Sequence, residues 1–415
     1  MKRWIKTLAF AAVGAAAAGL GLLGEPEPQG AYGPPERDSR ARGGKKRWKR
    51  IAALFAVFLV LMGIGGFLVA ASGIIPIKAS SGHWPITAWF LNFSMKRSIS
   101  THSLGTKAPP LDDPALVLRG AGHYETGCLP CHGGPGLRQP RVARAMTPHP
   151  PYLPPKIPEW DPEELFYLVK HGVKFTGMPA WPAQERDDEV WAMVAFLLRF
   201  PEMDAAEYRR LVRGGGPAMD DEDAPLRGLL GTEGVPLAVN RSCGRCHGGD
   251  GLGRGLGAFP KLAGQRPAYL YNALQAFARG ERHSGIMEPV AAGLSTEEMR
   301  SLALYYSRLP GLGAAEGEDR LLTGRSIAHQ GIPAQRVPAC AACHGPGPGQ
   351  RNPAYPELAG QYARYLVLQL ELFKEEHRGG SPYAHLMHEV APRLTPEQMR
   401  DVALYYQSLG SGPAP

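Results

Sequence analysis

Hydrophobic and polar positions divide the chain into a front section suited to lipid and a long remainder suited to water. From Ile51 to Ile77 an unbroken run of 27 residues carries no charge, and about 20 apolar residues of helix suffice to cross a bilayer core. The run predicts one transmembrane helix over residues 51–77. Directly before it, Lys45-Lys46-Arg47-Trp48-Lys49-Arg50 sets five cations in six positions. By the positive-inside rule this keeps residues 1–50 cytoplasmic and exports everything after Ser80. An earlier Ala/Gly-rich stretch, Leu8 to Leu23, follows Lys2, Arg3 and Lys6; a signal-peptide core, a second helix and a cytoplasmic tail are all open readings of it. Residues 78–110 read as a juxtamembrane segment and linker. Within them, His83 to Arg97 holds Trp84, Trp89, Phe90 and Phe93 followed by Lys96 and Arg97, a composition suited to the membrane-water interface; a core helix of the first domain is the alternative.

Past residue 110 the apolar positions take a helical period and repeat. Asp188 to Pro201 aligns without gaps on Glu297 to Pro310 at an offset of 109, which carries Met178 onto Met287. Met299-Arg300 with Ala303-Leu304-Tyr305-Tyr306 matches Met399-Arg400 with Ala403-Leu404-Tyr405-Tyr406 at an offset of 100, which carries Met287 onto Met387. Three domains follow, at 111–203, 226–313 and 318–411. The first has an extended passage imposed by Pro148, Pro150, Pro151, Pro154, Pro155 and Pro158, and its last helix should begin near Asp187 or Asp188, where carboxylates suit the helix dipole. Residues 204–225, with Arg213-Gly214-Gly215-Gly216-Pro217 and the acidic run Asp220 to Asp223, read as a linker whose charges are solvated rather than a calcium site. The short spacer before the third domain favours a packed second and third pair.

Charge removes one class of function. The formal net charge is +8, yet residues 111–415 carry a net −3, so the basic excess sits beside the apolar span and no basic domain is present to bind nucleic acid. Glycine (52) and proline (40) make about 22 % of the chain, below the roughly 25–30 % that marks low-complexity disorder.

The chemistry lies in the six cysteines, which form Cys128-Leu129-Pro130-Cys131-His132, Cys243-Gly244-Arg245-Cys246-His247 and Cys340-Ala341-Ala342-Cys343-His344. Two thiols three positions apart reach the two vinyl groups of one porphyrin as thioethers, and the adjacent imidazole is set to ligate the iron. Zinc would need four ligands where each cluster offers three. The pattern therefore predicts three covalently bound haem c groups. Met178, Met287 and Met387 lie 46, 40 and 43 residues after His132, His247 and His344, each before a helix-periodic segment, and are the expected distal ligands. His149, His171, His283, His377, His385 and His388 are the competing donors, and His388, next to Met387, makes the third site the least determined.

Each of these repeats resembles a class I cytochrome c domain, over residues 111 to 411. Residues 226 to 411 further resemble the two-domain diheme cytochromes c, through Phe259-Pro260-Lys261-Leu262-Ala263-Gly264-Gln265 with Tyr269-Leu270 and Tyr355-Pro356-Glu357-Leu358-Ala359-Gly360-Gln361 with Tyr365-Leu366. The resemblance implies an all-α fold of three tandem domains after one N-terminal transmembrane helix. In each domain an N-terminal helix would cross a C-terminal helix, with Gln265, Tyr269, Gln361 and Tyr365 near the haem propionates. Ordinary packing at helix N-termini is the other reading of those four.

His/Met ligation leaves no open coordination position, and thioether sulfur favours ferrous iron, so the expected role is electron transfer without bond chemistry. The sequence reads as an exported triheme carrier anchored by a single span in a bacterial cytoplasmic membrane. It would serve a respiratory chain, passing electrons toward a terminal oxidase. The alternative is the electron-relaying subunit of a membrane dehydrogenase of the alcohol or gluconate type. It is not expected to be an enzyme by itself, since a haem enzyme or gas sensor would need five-coordinate iron.

Overall fold

The computed structural model describes residues 38–75, 77–213, 235–236, 238–310, 321–345 and 351–409. Leu8 to Leu23, Asp220 to Asp223 and the start of the second domain lie outside them. Among the described residues the fold is all-α, with two isolated bridges, Gly134 to Leu137 and Ile332 to Val337, in place of strands.

The chain divides into two compact units, residues 1–77 and 78–415. In the first, α1 (Asp38–Ala71) contains the candidate span Arg47–Ala71, whose most apolar 18-residue window has a mean hydropathy of 2.6 and is not buried. Its 25 residues make about 37 Å of helix, more than a hydrocarbon core of about 30 Å. The helix stops at Ala71, short of the expected end at residue 77, because Gly73 takes a left-handed φ of 67° and the Ser72 hydroxyl caps Val69 O at 2.7 Å.

In the second unit, α2 (Pro85–His102) differs in burial between its two halves. Its C-terminal half packs on the first repeat: Ile99 is buried, Ser100 Oγ donates to Glu164 at 2.5 Å and Lys96 pairs with Glu159 at 3.4 Å. Its N-terminal half leaves Trp84, Trp89, Phe90 and Phe93 exposed, with Trp89 and Phe93 stacked.

The first repeat is α3 (Pro114–Gly127), α4 (Pro162–His171), α5 (Asp187–Leu197) and α6 (Ala205–Arg213). The start of α5 is the one its acidic residues predict. Helices α3 and α5 cross at Gly120, where an added Cβ would lie 2.2 Å from Ala192 O. Tyr124, Phe196, Phe200 and Tyr208 fill the core beside the crossing. Helix α6 corrects the expected linker: Tyr208 and Val212 are buried on this cluster, so residues 205–213 belong to the repeat.

The second repeat contributes α7 (Pro267–Ala278), α8 (Met287–Ala292) and α9 (Thr296–Arg308). The third contributes α10 (Leu322–Gln330), α11 (Ala363–Lys374), α12 (Ala384–Val390) and α13 (Pro396–Ser408). Ser295 and Thr395 head α9 and α13 with capping boxes onto Glu298 and Gln398. Helices α10 and α13 cross at Gly324, where a Cβ would meet Asp401 O at 2.1 Å, repeating the close approach of α3 and α5.

Candidate haem sites

Each Cys-x-x-Cys-His segment ends in a single helical turn, Leu129–His132, Gly244–His247 and Ala341–His344. Each turn is stopped by a left-handed glycine, Gly133, Gly248 or Gly345. The glycine carbonyl then accepts a phenol: Tyr124 OH to Gly133 O at 2.6 Å, Tyr306 OH to Gly248 O at 3.2 Å and Tyr406 OH to Gly345 O at 2.8 Å. The sequence repeat shows Tyr306 and Tyr406 as equivalents but hides Tyr124, which does the same work from the N-terminal helix of its repeat.

The three imidazoles share one arrangement. Nδ1 of His132 lies 2.9 Å from Pro151 O, that of His247 3.1 Å from Pro260 O and that of His344 3.0 Å from Pro356 O. A proton on Nδ1 donated to the proline carbonyl leaves the Nε2 lone pair available as a ligand. Burial holds all three rings neutral by lowering their pKa, against a smaller opposing effect of the same carbonyls. The six cysteines form no disulfide. Burial pushes Cys128 up to about 12 and Cys340 up to about 11, and raises Cys243 and Cys246. This is opposite to the low thiol pKa of a redox cysteine pair. Among the described residues no group of three or more His, Cys, Asp or Glu is gathered to hold a metal by itself.

The second and third sites open on one continuous cavity of about 670 Å³, lined by Cys243, Cys246, His247, Met287, Cys340, Cys343, His344 and Met387 with apolar walls such as Leu270, Leu302, Leu366 and Val402. Neighbours 387 and 388 part company here. Met387 lines the cavity, whereas His388 is not in its lining and its Nε2 sits 2.6 Å from Arg378 O, with Phe373 against its ring. His385 is exposed. In the first repeat Met178 is half-buried in a loop whose ends are tied by Val173 N to Met178 O at 3.2 Å. His149 and His171 are exposed, His171 beside Tyr167. His283 lines the cavity and lies 3.7 Å from Glu288.

Gln265 and Gln361 border the cavity and join the second repeat to the third. Gln265 bonds both N and O of Glu357, and Gln361 bonds both N and O of Lys261, all at 2.8–3.0 Å. Tyr269 OH receives Arg378 at 3.0 Å, and Tyr365 OH receives Arg282 at 3.1 Å. Burial alone would raise the Tyr269 hydroxyl, but the two guanidinium groups bring it below its ordinary value. The buried pair Arg282 and Arg378 escapes sequence reading. Both donate to phenol and amide oxygens, and Arg378 Nε has no hydrogen-bond partner among the described residues. An apolar slot with inward thiols, neutral imidazoles and buried cations suits a haem, whose flat apolar body ends in two carboxylates.

An all-α fold with this set of cysteine, histidine and tyrosine positions defines a cytochrome c type of protein. The comparisons agree. The family described as cytochrome C oxidase, cbb3-type, subunit III matches residues 115–197, and the cytochrome c family matches 232–309 and 334–410. A thiosulfate dehydrogenase electron acceptor of Thiomonas intermedia (strain K12) is 38 % identical over 39 % of this chain and 76 % of its own length. Another of that name, from Stutzerimonas stutzeri (strain A1501), is 33 % identical over 43 % and 84 %. Cytochrome c4 of Thiocapsa roseopersicina is 36 % identical over 41 % and 88 %. The chain belongs to the cytochrome c family, whose domains bind haem c covalently, and is an electron carrier related to the diheme cytochromes c4.

Proposed function

We propose that this carrier holds three haem c groups, through Cys128, Cys131 and His132, Cys243, Cys246 and His247, and Cys340, Cys343 and His344, with Met178, Met287 and Met387 as the distal ligands. The observation that carries the reading is the threefold recurrence of one constellation: a cysteine pair at a single helical turn, an imidazole whose Nδ1 is engaged by a proline carbonyl, and a tyrosine bonded to the following glycine. Haem c supplies a one-electron iron couple when bound. The protein's part is to fix the imidazoles, exclude water with the apolar walls, and balance the propionates with Arg282 and Arg378.

The carrier is exported and anchored by α1 in a bacterial cytoplasmic membrane, with Lys45 to Arg50 on the cytoplasmic side. The exposed aromatic half of α2 suits the lipid headgroup region. Its partners are redox complexes of that membrane. The names of the relatives favour a dehydrogenase of the thiosulfate type as electron donor, and the match of residues 115–197 to an oxidase subunit favours an oxidase as acceptor. Affinity isolation from detergent-solubilised membranes tests this: recovery of a dehydrogenase or a terminal oxidase with the chain is expected, and recovery of neither refutes the respiratory assignment.

A further inference from the structure

Glu189, on the first turn of α5, is 3 % exposed and lies where the first repeat meets the second. Its two oxygens take four donors. Within the first repeat they receive Trp181 Nε1 at 3.2 Å and Arg186 at 3.0 Å. From the second they receive Ser284 Oγ at 2.6 Å and Gly285 N at 2.7 Å. Ser284 Oγ in turn accepts from Ile286 N at 3.3 Å and Met287 N at 3.1 Å, and Arg186 also donates to His283 O at 2.7 Å. Gly285 is held so close to Trp181 that an added Cβ would lie 2.1 Å from the indole nitrogen. The loop leading to Met287 is therefore clamped by a carboxylate from a different repeat.

Among the described residues, no carboxylate from another repeat clamps the corresponding stretch of the third. There the loop before Met387 is held by His388 to Arg378 O at 2.6 Å and by Ser381 N to Gly379 O at 3.0 Å within its own repeat, and by Arg378 to the phenol of Tyr269 in the second. Trp181 adds a second connection, because it follows Met178 by three positions and shares the Glu189 carboxylate with Ser284 and Gly285. The segments carrying Met178 and Met287 are thus joined by Trp181, Glu189 and Ser284.

We propose that Glu189 is a positioning residue for Met287, so that docking of the first repeat sets the methionine ligation, and with it the reduction potential, of the second haem. The inference rests on the reading of Met287 as a distal ligand. A buried carboxylate that satisfies a backbone N–H and a hydroxyl fixes a loop more firmly than solvent does, and its removal leaves those donors unsatisfied. Freed from the clamp, the loop gains conformations in which sulfur is withdrawn, and weaker thioether ligation lowers the potential.

The test uses the full-length haem-loaded protein in detergent, following the methionine-to-ferric-iron charge-transfer absorption and the three potentials by spectroelectrochemistry. Met287→Ala should remove about a third of the absorption, one methionine site of three. Glu189→Ala should remove a similar share and lower one potential, with Glu189→Gln falling between it and the wild type. Absorption and potentials unchanged in Glu189→Ala would overturn the proposal. If that variant fails to load haem, Ser284→Ala decides: partial loss of absorption with one shifted potential supports the clamp, and wild-type behaviour overturns it. No effect of Met287→Ala would instead refute the ligand assignment beneath it.

Discussion

Gln265 reaches across the junction of the second and third repeats to take both backbone groups of Glu357, accepting from its N–H at 2.8 Å and donating to its carbonyl at 2.9 Å. Gln361 does the same to Lys261 from the opposite side. The two glutamines replace a strand-like ladder and leave no backbone group of either partner unpaired. Their loss should be felt as uncoupling: Gln265→Ala with Gln361→Ala exposes four bonds worth about 1 kcal/mol each. Denaturant unfolding followed by haem absorption should change from one shared transition for these repeats to two. A single unshifted transition would show that the apolar contacts alone hold the pair.

Covalent attachment at three sites sets the mass. The mature chain should exceed its polypeptide mass by three haem units and keep its colour through acid-acetone extraction. Cys246→Ala should remove one thioether, impairing the second repeat and sparing the others. Recovery of zinc in place of iron would contradict the assignment.

Membrane attachment is expected to depend on α1. Removing Lys45 to Ile75 without a substitute signal should abolish export and haem loading together, and a cleavable signal in its place should restore both in a soluble form. If that form still sediments with vesicles, replacing Trp84 and Trp89 by serine should release it; retention after that change would assign the attachment to another surface.

Ligation of the third haem should follow the geometry of neighbouring positions. Met387→Ala should remove about a third of the charge-transfer absorption. His388→Ala should leave the ligand field as it is and only loosen Arg378, whose carbonyl it meets at 2.6 Å. A changed third-haem spectrum in His388→Ala, with no change in Met387→Ala, would transfer the ligand role to histidine.

Acid should weaken the first repeat through His123, whose ring lies 4.7 Å from that of Trp181 and whose pKa burial lowers to about 4. A base that resists protonation when folded adds stability above its unfolded pKa of about 6.5, and that stability is lost as pH falls from there toward 4. Between pH 7 and pH 5 the loss should be about 2 kcal/mol. His123→Phe should show a smaller loss over the same interval in urea unfolding, and an equal loss would place the acid sensitivity elsewhere.

What the sequence makes legible is local chemistry and register. The cysteine motifs declare themselves, and the offsets of 109 and 100 align the three methionines. What stays hidden depends on contacts between segments far apart. Arg282 and Arg378 look like surface cations in sequence, and Glu189 looks like a helix-dipole carboxylate. Their burial arises from the meeting of repeats. Helix α6 was concealed by its polar composition, since only Tyr208 and Val212 along its length are buried. The end of α1 at Ala71 depends on glycine geometry at Gly73 more than on hydrophobicity.

Gly120 and Gly324 each face a carbonyl oxygen at a distance where no methyl group fits, 2.2 Å and 2.1 Å from the position a Cβ would take. The two helices at each crossing act as the arms of a caliper. One carries the residues leading into the cysteine motif, and the other follows the methionine loop. A wedge of one carbon at the pivot spreads both arms, so an alanine there would register less as lost helix than as a widened gap between the two groups the arms position.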